Sequence, residues 1–140
     1  MNEQEIHHLV YDIPENVDYT DIPQELDLED VPKERVDKLR DLLHSDDLAV
    51  RFDAALLLTN WGVEDGLNTL IDLFEKGETK GFIPHHLHPY DDTNKHILDA
   101  LIGYWASQTD LHKEQEARKR IYPTIISIIK QAVHSSYSIA

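Results

Sequence analysis

The chain of 140 residues carries 27 Asp and Glu against 13 Lys and Arg, a net charge of -14, with 41% hydrophobic residues and no cysteine. That length and apolar content fit one folded unit around a single core and argue against wholesale disorder; the lack of cysteine excludes disulfides and thiolate metal sites. The first residues, Met1 to Glu5, are acidic where a secretory leader needs positive charge, and no apolar run approaches bilayer length, so a cytoplasmic protein is expected.

The charge is segregated. Residues 1–32 hold ten acids (Glu3, Glu5, Asp12, Glu15, Asp18, Asp21, Glu25, Asp27, Glu29 and Asp30) and neither Lys nor Arg, whereas the rest of the chain is nearly balanced. Such a surface repels phosphate, which argues against nucleic acid and anionic membranes as partners and favours a basic protein. Pro14, Pro23 and Pro32 interrupt the segment and hold their predecessors extended, which makes residues 1–31 an irregular acidic arm. A short helix fits residues 3–10. Ile6, Leu9, Val10, Tyr11, Ile13, Val17, Tyr19, Ile22, Leu26, Leu28 and Val31 lie among the acids, so the arm either packs across the body or keeps these side chains for a partner.

A helical body is expected over 32–140. Pro32 suits a first helical position, and Val36, Leu39, Leu42 and Leu43 recur at helical spacing through His44. Ser45, Asp46 and Asp47 form a break rich in capping residues. The second helix presents Val50, Ala54, Leu57, Leu58 and Trp61 and stops at Gly62; the third runs from Val63 to Lys76 with Leu67, Leu70, Ile71 and Phe74 and stops at Gly77. Residues 77–92 read as a connector longer than most helix–helix links. The fourth helix spans Thr93 to Ser107 with Ile97, Ala100, Leu101, Tyr104 and Trp105 as its apolar side; Trp61, Tyr104 and Trp105 are read first as core, with a partly exposed interface anchor among them as the alternative. A polar stretch leads through Lys119 to a last helix over 122–134, opened by Pro123 and faced with Ile125, Ile126, Ile128, Ile129 and Val133.

One pattern goes beyond periodicity. Asp47, Arg51, the pair Ala54 and Ala55, Leu58 and Gly62, followed by Leu67, Leu70 and Leu73, resemble a HEAT-like repeat. A poorer copy starts 45 residues later, where Asp92, His96, Ile97, Ala100, Leu101 and Ile102 align with Asp47, Arg51, Phe52, Ala55, Leu56 and Leu57. There His96 replaces the Arg, Asp99 the first Ala and Gly103 the Leu. The resemblance implies an all-α fold, a short HEAT-like (armadillo-type) stack of about five helices, and a concave binding platform. In size, acidity and scaffold the chain is similar to immunity proteins of bacterial contact-dependent inhibition and other polymorphic toxin systems. Those proteins imply an inhibitor that covers a basic toxin, such as a nuclease; a HEAT-like adaptor or regulatory subunit is the alternative.

Catalytic and metal chemistry find little support. His85, His86 and His88 lie beside Asp91 and Asp92, with His96 beyond, but adjacent histidines point apart and no H-E-x-x-H spacing is present. A metal-dependent enzyme is the distant alternative. No Cys, nucleophile elbow or phosphate-binding glycine loop occurs, so no catalytic residue, metal or cofactor is expected. The expected partner-binding residues are Asp18, Tyr19, Asp21, Glu25, Asp27, Glu29 and Asp30 in the arm, and Phe82, His85, His86, His88, Tyr90, Asp91 and Asp92 in the connector.

Overall fold

The computed structural model describes residues 1–79 and 93–139. Six α-helices and no strand occur among the described residues: α1 (Glu3–Tyr11), α2 (Lys33–Leu42), α3 (Leu48–Asn60), α4 (Glu64–Glu75), α5 (Thr93–Asp110) and α6 (Glu114–Ile139), with 3-10 turns at Pro23–Glu25 and Leu28–Asp30. No described helix is long and apolar enough to cross a membrane.

Helix α3 is the hub. Six consecutive hydrophobic or small positions, Ala54 to Thr59, would overload one face of a surface helix, and here they do not need one. Phe52, Ala54 to Leu58 and Thr59 are all buried, because α2, α4, α5, α1 and the first 3-10 turn pack around α3. Asp47 caps its start, accepting from the Ala49 and Val50 amides. Its buried Thr59 hydroxyl donates to the Ala55 carbonyl at 2.6 Å, so no polar group is stranded. The helix ends in a Schellman turn: the amides of Gly62 and Val63 reach back to Thr59 and Leu58, with Gly62 at a φ of 84°.

This turn folds α4 back against α3, and Gly66 sets their separation. A Cβ there would strike the Cβ of Leu58 and lie 3.0 Å from the Thr59 amide nitrogen. Leu67, Leu70, Ile71 and Leu73 then interlock with Leu57 and Leu58 in the fully buried centre.

The C-terminal hairpin differs from expectation. Helix α5 continues to Asp110, and α6 begins at Glu114, well before Tyr122. The link is another turn of the kind glycine usually makes, here with His112 at a φ of 58°; the amides of His112 and Lys113 bond the carbonyls of Thr109 and Gln108. Pro123 lies inside α6 and does not open it. Its ring is on the exposed side, so the Lys119 carbonyl that loses its donor faces solvent and the helix passes through. The described residues thus hold six helices: five in the body, as expected there, and α1, which matches the short helix read over residues 3–10 in the arm. Pro32 is the cap of α2 and not its first residue. Tyr104 is buried as expected, but Trp105 is 40% exposed: Ala100, Leu101 and Tyr104 already occupy the face of α5 turned to the core.

Candidate functional site

The arm is docked onto the helical body. Val10, Leu26 and Val31 are buried in the common core, and Ile6, Leu9, Ile13 and Val17 pack at its edge. Two side chains of the body clamp it. Trp61, 2% exposed at the end of α3, donates its indole N–H to the Pro23 carbonyl at 2.8 Å. Arg35 on α2 donates to the Leu9 carbonyl at 2.9 Å while its guanidinium lies 5.3 Å from the Trp61 ring centre. Burial lowers the pKa of Arg35 from its usual value, and the nearby Asp12 carboxylate partly offsets this. Both clamp residues were invisible as such in the sequence, because their acceptors are backbone carbonyls 26 and 38 residues away.

With Pro23 pinned, the two 3-10 turns lie along the mouth of an acidic cleft of about 580 Å³ between the arm, the end of α3 and α5. The arm contributes Glu25, Asp27 and Glu29, and α5 contributes Asp110 from the opposite wall. No Lys, Arg or His lines the cleft, and none of these four carboxylates makes an ion pair among the described residues. Leu28 and Leu111, 43% and 60% exposed, stand on its two walls. Asn60, Ser107 and Gln108 supply neutral polar groups at the base, where the Gln108 amide donates to the Gly62 carbonyl at 3.3 Å. Gly62 is required here twice over: its φ is positive, and a Cβ would strike the Ser107 hydroxyl.

The arm's acidic loop is held in shape by Tyr19. Its hydroxyl donates to Asp30 at 2.7 Å and accepts the Asp27 amide at 2.9 Å. The Asp27 N–H favours the phenolate, but desolvation, the hydrogen bond to Asp30 and the charges of Asp30 and Asp27 outweigh it and raise the pKa above the ordinary tyrosine value. Thr20 ties Glu25 in the same way, donating at 2.8 Å. The structure thus brings Glu25, Asp27 and Glu29 to the cleft, uses Tyr19 and Asp30 as its internal brace, and leaves Asp18 and Asp21 exposed outside the cleft lining. The expected residues Phe82, His85, His86, His88, Tyr90, Asp91 and Asp92 lie outside the described residues. Asp110 and Leu111, assigned to a polar linking stretch by sequence, are part of the site.

Oxygens of Asp27, Glu29 and Asp30 approach within 4.8 Å of one another, the one such grouping among the described residues. It offers carboxylates alone, two exposed and the third, half-buried Asp30, already engaged by Tyr19, and its concentrated negative charge suits a Lys or Arg head as well as a cation. Comparison of the chain with protein-family models, curated proteins and solved structures gives no match.

Proposed function

We propose that the protein is a non-catalytic binding protein whose acidic cleft receives basic side chains of another protein. One observation carries this reading: four carboxylates from two separate walls converge on a cleft without a single cation to neutralise them. A Lys or Arg entering the cleft is attracted by carboxylates on both walls at once. Leu28 and Leu111 supply apolar contact beside the charges, so attraction speeds encounter while desolvated contact slows release.

A neutralising role, in which the chain covers the substrate surface of a basic toxin as an immunity protein does, fits this chemistry: groups that hold nucleic-acid phosphate are the ones four carboxylates would occupy. A HEAT-like stack is the architecture proposed with it. In its support, α3–α4 and α5–α6 form two successive helical hairpins, and their first helices, which begin at Leu48 and Thr93, pack on each other.

The test is an NMR titration of the full chain with a hexa-arginine peptide at low salt. Shifts concentrated at Asp27, Glu29, Asp110 and Leu111, and lost in an Asp27→Asn, Glu29→Gln, Asp110→Asn triple variant, are expected. Shifts of similar size at Glu3, Glu5 and Glu75 would refute the cleft as the site. For the neutralising role, the gene should sit beside one for a large toxin, and co-expression should abolish that toxin's activity; unaltered toxicity would remove it.

A further inference from the structure

Helix α5 carries a second surface of opposite character. An open groove of about 300 Å³ runs between α5 and α6, lined by Ile102, Trp105, Arg118, Ile121, Tyr122 and Ile125. It shares no residue with the acidic cleft. Ile102 and Trp105 are spaced one turn apart on α5, and Arg118, Ile121, Tyr122 and Ile125 repeat at three- and four-residue steps on α6. Two such rows leave a furrow that takes the side-chain ridge of a third helix. Trp105, Tyr122 and, two turns beyond Tyr122, Ile129 are each at least 40% exposed, which leaves apolar side chains on both walls of the groove uncovered. The Trp105 indole N–H and Tyr122 hydroxyl make no hydrogen bond among the described residues and stay open for a partner.

The charge at the groove selects its occupant. Arg118 is the one charged residue lining it, is exposed, and forms no ion pair among the described residues, although acids outnumber bases two to one in the chain. A second copy docked face to face would set each Arg118 against a groove that contains no carboxylate. We propose that the α5–α6 groove binds an amphipathic helix of a partner protein, one that carries an Asp or Glu about one turn from its apolar anchors, to pair with Arg118. This is the helix-in-groove mode, with Trp105 and Tyr122 as the aromatic anchors of the receiving surface.

A displayed library of helical 18-residue peptides with apolar residues fixed at i, i+3 and i+7, and all other positions randomised, tests it on the full chain. Counter-selection uses Trp105→Ser and Arg118→Glu, each checked for native helicity, with Tyr122→Ser replacing the first if it does not fold. Basic peptides that enter the acidic cleft survive both counter-selections and are thereby set aside. The selected groove binders should share an Asp or Glu at one fixed position, bind the wild-type chain at least tenfold more tightly than Arg118→Glu, and regain affinity for that variant when the acid is changed to Lys. Winners without an acidic position, or equal binding to the Trp105→Ser chain, would overturn the proposal. So would sedimentation showing a micromolar dimer that Trp105→Ser dissolves, since the groove would then belong to a second copy.

Discussion

Replacing Trp61 with Phe isolates the clamp that holds the acidic arm. The indole N–H donates to the buried Pro23 carbonyl, which keeps a second donor, the Leu26 amide, at 3.1 Å. The carbonyl is therefore not orphaned, and the loss is that of one net hydrogen bond, about 1 kcal/mol. The void left by the smaller ring at a site only 2% exposed adds about 1 kcal/mol. Phe keeps part of the contact with Arg35, so that change costs roughly 0.5 kcal/mol. Together these give about 2–3 kcal/mol and a fall in Tm on the order of 10 °C for a chain of this size. Urea unfolding followed by far-UV circular dichroism measures the first figure. Amide hydrogen exchange then locates the damage: Leu26 and Val31, whose amides bond within the 3-10 turns, should exchange faster while Leu57 and Leu58 in α3 change less. The matching change at Trp105, 40% exposed and without a hydrogen bond from its ring, should cost under about 0.5 kcal/mol. Equal losses for the two tryptophans, or an arm whose exchange is unaffected by Trp61→Phe, would refute the clamp.

Two further substitutions test the hairpin turns by the same unfolding measurement. Gly66→Ala should destabilise by about 1–3 kcal/mol, because the new methyl meets Leu58 and the α3 backbone and cannot be relieved by a rotamer change; a neutral result would mean that α3 and α4 are not held this close. His112→Gly should stabilise by about 0.5–1 kcal/mol, since glycine adopts the positive φ of this turn without the Cβ penalty that His bears; a loss of stability would show that the imidazole makes a compensating contact.

The α3–α4 hairpin was readable from sequence because its signals were local: Asp47 marks the start, Gly62 and Gly77 mark the stops, and the apolar period between them has a single interpretation. The α5–α6 link was not, because the residue that makes its turn is a histidine, which only infrequently takes a positive φ. Pro123 compounded the error, since a proline on the solvent side of a helix and one at a helix start look the same in a string of letters. The acids of the arm identified half of the cleft. Its other wall, Asp110 and Leu111, depends on α5 running beside the docked arm, a relation between residues about eighty apart that no local pattern encodes. Trp105 shows the converse limit: hydrophobic residues outnumber the places on the inner face of α5, and only packing decides which is left outside.

Pinning residues 23–31 to the body changes the thermodynamics of recognition. An acidic tail that ordered only on meeting its target would lose roughly 1–2 kcal/mol of backbone freedom per residue at that moment. Here the segment's two 3-10 turns, its Tyr19 brace and its anchor at Trp61 are formed during folding of the chain itself. The basic ligand proposed above would meet walls already in position between Asp27 and Asp110, so its affinity would not be reduced by the entropy of ordering this stretch of backbone.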